Sequence, residues 1–204
     1  MRIGLSIDHI GRDGRRRRDQ GATFDEDGDG HADYHEARLT WRIVESAWQT
    51  AHDRGHEVFI FADGDYADRH DRANALDLDC YIACHINAGG GSYAAFFHDP
   101  QTAPGGGDVL ARQLARTWGV TASPILGRSL EAKAISAKGH TWRNPRYTIR
   151  GLKNGVVGVC AEWFFLDNRD HRNAFANTAA LMKAGAALID GIEAWHAGRG
   201  RNVA

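Results

Sequence analysis

Residues 80–86 read CYIACHI, and this short apolar run, which ends beside a histidine, decides the predicted fold. A continuous apolar run of this length is typical of a strand that is buried on both faces. Similar runs predict strands at residues 3–7, 58–61 and 156–161. Amphipathic segments separate these runs, so the sequence predicts an α/β domain with a twisted, mostly parallel sheet flanked by helices.

The spacing of apolar residues predicts the helices between these strands. The first long helix is predicted over residues 34–54, with an inward face formed by Leu39, Ile43, Ala47, Trp48 and Ala51. Further helices are predicted at 66–76, 109–118 and 171–196, and a strand at 93–97 is predicted to pair beside residues 80–86. At 204 residues and 43% hydrophobic, the chain suits one domain, residues 1–204.

Composition excludes several classes of protein. The 25 Lys and Arg residues nearly balance 26 Asp and Glu residues, which gives no indication of nucleic-acid binding. No apolar stretch approaches the roughly 18 residues of a membrane span, and the first residues do not resemble a signal peptide. We therefore expect a protein that is not embedded in a membrane and is made in the cytoplasm.

The three cysteines all lie in apolar runs and are predicted to be reduced core residues: Cys80, Cys84 and Cys160. Side chains alternate between the two faces of a strand, so Cys84 and His85 are predicted to point in opposite directions. Cys84 is therefore predicted to be a core residue and not a metal ligand or nucleophile.

Polar residues follow the predicted strands at the point where each strand ends. His9 follows the first strand, His85 ends the CYIACHI strand and Glu162 follows VVGVCA, while Glu36 begins the first long helix. Ligands of open α/β sheets bind beyond the carboxyl ends of the strands, so these residues are predicted to meet in one cleft. Two His and one Glu form a known catalytic zinc set, which leaves one position open for water.

A second motif competes for Glu36. Residues 24–41 read FDEDGDGHADYHEARLTW and fit the calcium-loop pattern D-x-[DN]-x-[DN]-G-x5-E from Asp25 to Glu36. An EF-hand needs a helix before its loop, however, and the preceding GRRRRDQGATF is not helical in pattern. We therefore assign Glu36 to zinc. A separate Ca²⁺ at Asp25, Asp27 and Asp29 is one interpretation of the turn, and a solvated acidic loop is the other.

With these residues identified, the sequence resembles the zinc-dependent N-acetylmuramoyl-L-alanine amidases of the amidase-3 type. The motifs IDHIGRDG, HEARLTW, RHDRAN, ACHINA and AEWFFLDN follow the order of that family's motifs, from residue 3 to about residue 195. The resemblance implies that His9, Glu36 and His85 hold one Zn²⁺ per chain. It also implies that Glu162 is the catalytic acid and base.

One departure from the family concerns the first ligand. The family turn spaces its Asp and His with Pro and Gly, whereas His9 directly follows Asp8 here. His31 and His35 are therefore alternative candidates for that ligand position.

The resemblance implies a peptidoglycan hydrolase that cleaves the amide between N-acetylmuramic acid and the L-alanine of the stem peptide. Its expected partner is peptidoglycan, and its expected role is that of a phage or prophage lysin that reaches the cell wall after release. Two alternatives stay open at this point. One is a zinc peptidase or amidase with another substrate, and the other is a non-catalytic, calcium-dependent module that binds the cell wall.

Overall fold

The computed structural model describes residues 1–9, 21–102, 106–137, 144–153 and 155–199. Its strands, in chain order, are β1 (Arg2–Ile7), β2 (Thr23–Phe24), β3 (Tyr34–His35), β4 (Glu57–Phe61), β5 (Cys80–Asn87), β6 (Tyr93–His98), β7 (Glu131–Ser136) and β8 (Val157–Phe165). Its helices are α1 (Glu36–Asp53), α2 (Tyr66–Asn74), α3 (Gly107–Leu126), α4 (Asn144–Tyr147), α5 (Arg169–Phe175) and α6 (Thr178–Arg199).

A six-stranded sheet in the order β4-β1-β5-β8-β6-β7 forms the centre of the fold. The strands β4, β1, β5 and β8 are parallel to one another, and β6 is antiparallel to β8 and parallel to β7. The predicted α/β class with a mostly parallel sheet is confirmed. The predicted pairing of residues 93–97 beside residues 80–86 is wrong, because β8 lies between β5 and β6.

Helices cover both faces of the sheet and enclose two apolar cores. The larger core lies under α1, α3 and α6, and the smaller one lies on the opposite face, under α2. Cys84 belongs to the larger core, and all three cysteines are buried free thiols, as predicted. Burial raises the pKa of the Cys84 thiol to about 12, so this residue is unsuited to act as a nucleophile near neutral pH.

Two helix predictions need correction. The helix predicted at 34–54 begins at Glu36, because Tyr34 and His35 pair with β2 to form a short hairpin. Trp48 was predicted to face inward but is 39% exposed, since it lies on the flank of α1 and stacks on His52. The helix predicted at 171–196 is divided into α5 and α6, and the side chain of Asn177 caps the start of α6.

The hairpin formed by β2 and β3 delivers the first residue of α1. Its ends are joined where the backbone N–H of Glu36 donates to the carbonyl of Ala22 at 2.8 Å. The buried guanidinium of Arg172 packs over the ring of Phe24 at 3.7 Å and donates to the carbonyl of Leu166. These contacts fix the hairpin, and with it Glu36, against the end of the sheet.

None of the helices in the described part of the chain combines the length and hydropathy that crossing a membrane requires.

The close packing of α6 on α1 gives a stability prediction. A Cβ added at Gly185 would lie 2.5 Å from the carbonyl oxygen of Ile43 and 2.6 Å from the backbone nitrogen of Ala47. Because backbone atoms yield little, Gly185→Ala is expected to lower the free energy of unfolding by about 1–3 kcal/mol. Thermal or urea unfolding measures this change.

Gly198 provides the control for that measurement. It lies in the same helix, and an added Cβ there meets nothing within 4 Å. Gly198→Ala is therefore expected to leave stability unchanged or to raise it by at most about 1 kcal/mol. Equal unfolding midpoints for the two variants would show that α6 does not pack on α1 as closely as described.

Candidate metal and catalytic site

The predicted site residues lie at the carboxyl edge of the parallel strands. His85 on β5 pairs in register with Glu162 on β8, so their side chains project from the same face of the sheet. Asp8 and His9 follow β1, which is the other neighbour of β5. The topology therefore brings together residues that are far apart in sequence.

His9, Glu36 and His85 converge on one point. Oε1 of Glu36 lies 3.0 Å from Nδ1 of His85 and 3.6 Å from Nε2 of His9, and one ligand atom from each residue lies within 4.8 Å of the others. Ligand atoms that share one tetrahedral zinc ion at 2.0–2.2 Å are roughly 3.4 Å apart. The spacing and the donor types therefore fit Zn²⁺.

The alternative ligands His31 and His35 are not part of this cluster among the described residues. His9 reaches the cluster through its backbone, which adopts the left-handed conformation with φ +63°. That conformation is uncommon for a residue with a Cβ. It turns the chain sharply after Asp8, at the position where the resembled family uses Pro and Gly.

Both carboxylate oxygens of Glu36 accept backbone hydrogen bonds. The N–H of Ala22 donates to Oε2 at 2.7 Å, and the N–H of Ile86 donates to Oε1 at 3.0 Å. Gly21, with φ +70°, lies so close that a Cβ there would collide with this carboxylate. Burial raises the pKa of Glu36, but hydrogen bonding to His85 and the charges of His85 and His9 outweigh it, so the pKa is lowered. The carboxylate is thus held in its anionic, metal-binding form.

A buried ion pair supports His85 from behind. Oδ2 of Asp8 lies 2.5 Å from Nε2 of His85, and the other carboxylate oxygen accepts from Ser6 at 3.0 Å and from Arg69. Arg69 also donates to the carbonyl of Ile7. A carboxylate on the second ring nitrogen of a ligating His fixes the ring and leaves the first nitrogen for the metal.

The sequence showed Asp8 and Arg69 only as parts of motifs, without this role. Arg69 lies 61 residues beyond Asp8, and it is one of the few buried arginines of the described chain. A basic residue at an inward position of a short helix is the sequence signal that could have identified this buried ion pair.

Glu162 lies beside the three candidate ligands without being one of them. Its Oε2 atom is buried and has no hydrogen-bond partner among the described residues. Burial is the largest influence on the pKa of Glu162 and raises it, the charge of His85 lowers it, and the charges of Glu36 and Asp8 raise it, so that the pKa lies at about 7. A carboxyl group with a pKa near neutrality is populated in both its protonated and its ionised form at neutral pH, which suits a general acid and base.

The acidic turn is a separate cluster. Carboxylate oxygens of Asp25, Asp27 and Asp29 lie within 4.8 Å of one another, and Glu36 is not among them. Asp25 accepts from the backbone N–H groups of Gly28 and Gly30, so its oxygens already have partners. The residues before the turn, 10–20, lie outside the described part of the chain, and calcium binding here stays a prediction.

No protein-family model and no curated protein sequence matches the chain. Solved structures share its fold. The N-acetylmuramoyl-L-alanine amidase AmiC2 of Nostoc punctiforme aligns over 96% of both chains with a TM-score of 0.71 and 14% identity. The catalytic domain of the CD27L endolysin targeting Clostridia difficile covers 94% of this chain and 96% of its own, with a TM-score of 0.66 and 15% identity.

Cwp6 from Clostridium difficile aligns with a TM-score of 0.72 and 18% identity over 94% of this chain, which spans only 28% of the Cwp6 chain. At these identities the likeness concerns the fold. The chain therefore has the fold of solved N-acetylmuramoyl-L-alanine amidases, and the resemblance inferred from its motifs is confirmed in its architecture.

Proposed function

We propose that this protein is a zinc-dependent peptidoglycan amidase that cleaves the bond between N-acetylmuramic acid and L-alanine of the stem peptide. One observation carries the proposal. His9, Glu36 and His85 converge beside Glu162 at the carboxyl edge of a sheet whose fold is shared with N-acetylmuramoyl-L-alanine amidases.

His9, Glu36 and His85 are the residues that would hold the metal. A zinc ion bound by two His and one Glu supplies Lewis-acid activation of the scissile carbonyl and of the attacking water. Asp8 and Arg69 keep the ring of His85 in its ligating orientation. The hairpin contact through Ala22 does the same for Glu36.

Glu162 performs the proton transfers in this proposal. Its carboxylate accepts a proton from the attacking water and then donates it to the nitrogen of the departing L-alanine, which is a poor leaving group unless protonated. Water adds to the carbonyl carbon, the C–N bond breaks, and the products are a lactyl carboxylate on the sugar and a free amine on the peptide. The pKa of Glu162, raised to about 7, permits both transfers near neutral pH.

Purified sacculi provide the direct test. With zinc present, the protein is expected to release peptides with new N-terminal L-alanine, and a chelator is expected to stop the release. Cleavage at another bond would favour the alternative zinc peptidase. Binding to sacculi that needs calcium, without cleavage, would favour the non-catalytic wall-binding module.

A role as a phage or prophage lysin belongs to the same proposal. An endolysin catalytic domain among the structural neighbours supports it. Expression in the cytoplasm of a susceptible host tests this role. Lysis that begins only when the inner membrane is permeabilised supports it, and lysis without permeabilisation contradicts it.

Asp8→Asn tests whether the carboxylate of Asp8 orients the ring of His85 for metal binding. The amide keeps the shape of the side chain but removes the charge that faces Nε2 of His85. Zinc affinity is expected to fall about 10- to 100-fold, as is typical when a partner of a ligating His is lost. Competition with a chromogenic chelator measures the affinity. Asp170→Asn, an exposed carboxylate that pairs with Arg128, is the control and should bind zinc normally. Wild-type affinity in Asp8→Asn would show that Asp8 does not orient His85.

A further inference from the structure

A groove of about 600 Å³ lies between the outer face of α1 and the start of α6, and the proposed mechanism does not use it. Its floor is apolar and includes Leu39 and the buried Leu181. Its rim carries Arg38, Trp41 and Arg42. The groove begins where α1 begins, because Arg38 lies only two residues after the candidate ligand Glu36.

The rim combines a flat aromatic surface with positive charge. Trp41 is 45% exposed and lies where the groove opens to solvent, so its indole ring is accessible to a ligand. Arg42 pairs with Glu45, whereas Arg38 forms no ion pair with any residue that the structure describes. The groove therefore suits a ligand that carries both an apolar flat face and an anionic group.

We propose that this groove binds the glycan strand of peptidoglycan at muramic acid residues from which the stem peptide has been removed. This inference rests on the proposed function, because hydrolysis of each lactyl amide leaves one carboxylate on the sugar. The C–H face of the pyranose ring stacks on Trp41, and the lactyl carboxylate pairs with Arg38. A stem peptide has carboxylates but lacks the flat ring face, so the sugar fits the groove better.

Binding of the cleaved strand in this groove would affect how the enzyme moves along its substrate. A groove that recognises the cleaved strand retains the protein beside the next uncleaved muramic acid. Binding at the groove and cleavage at the metal cluster are then linked through one helix, α1, whose first turn contains both Glu36 and Arg38.

Binding of peptide-free glycan strands to the intact protein tests the inference, measured by calorimetry or by quenching of tryptophan fluorescence. Trp41→Ala is expected to weaken binding at least about tenfold, which is typical for a central tryptophan contact. Arg38→Ala is expected to remove the preference for these strands over chitin oligomers, which have similar rings without the lactyl carboxylate. Both residues are exposed, so folding should be retained.

Trp48→Ala is the matched control. Trp48 lies on the same helix and is similarly exposed, but it does not line the groove, so its removal should leave binding unchanged. Equal loss in the Trp41 and Trp48 variants, or equal binding of chitin oligomers and peptide-free strands to the wild-type protein, would overturn the inference.

Cleavage of a soluble muramoyl-peptide by the wild-type protein separates the two proposals. If the protein cleaves this fragment but does not bind peptide-free strands, only the groove assignment fails. If it cleaves neither the fragment nor sacculi, the proposed function itself fails.

Discussion

Glu162→Gln is expected to reduce turnover of muramoyl-peptide by about a hundred- to ten-thousand-fold. The amide preserves the shape and the hydrogen-bonding capacity of the side chain, but it cannot take a proton from water. Since Glu162 is not among the three clustered ligands, zinc content and the unfolding midpoint should match those of the wild-type protein. Steady-state kinetics with elemental analysis of the same preparation measure both quantities.

Glu131→Gln is the control for this experiment. Glu131 also lies on a strand of the main sheet, but it is exposed at the far edge, on β7. Its replacement should leave turnover unchanged. If Glu162→Gln loses zinc along with activity, Glu162 is a ligand and its role as the acid and base is wrong.

His85→Ala is expected to abolish both zinc binding and activity. The change removes one of three ligands, and it leaves Asp8 buried without the imidazole that faces it. The loss of zinc affinity will therefore come partly from the missing ligand and partly from the unpaired carboxylate of Asp8. Elemental analysis after metal loading, together with a sacculus assay, measures the outcome.

Cys84→Ala is the neighbouring control. Its side chain points into the larger core, on the opposite face of β5, so zinc content and activity should persist with at most a modest loss of stability. If His85→Ala retains a full equivalent of tightly bound zinc, His85 is not a ligand and the metal assignment is wrong.

The sequence predicted the centre of this fold because strands that are buried on both faces need continuous apolar runs. CYIACHI and VVGVCA are such runs, and parallel pairing then places the residues that follow them at one edge. His85 and Glu162 were predicted to meet for that reason, and they lie in register on neighbouring strands. The roles of the four site residues stay predictions until the variants are measured.

Other features of the fold depend on tertiary contacts, which the local sequence pattern does not specify. The strand β7 has the sequence EAKAIS and lies at the edge of the sheet, where half-exposed residues give no continuous apolar run. β6 pairs antiparallel with β8. Hydrophobic periodicity predicts strands but does not predict which strands pair with each other. The helical spacing of apolar residues predicts that Trp48 faces inward, whereas its position on the flank of α1 leaves it partly exposed to solvent.

The hydrogen bonds from Ala22 and Ile86 to Glu36 have a consequence for metal affinity. Fixing a free glutamate side chain costs about 1.5–2 kcal/mol in rotamer entropy. In this protein the folded hairpin and β5 have already restricted that side chain, because each of its two carboxylate oxygens accepts a backbone hydrogen bond.

 A metal ion bound at this site would therefore meet a carboxylate whose orientation was set during folding, and its binding free energy would not be reduced by the ordering of that ligand.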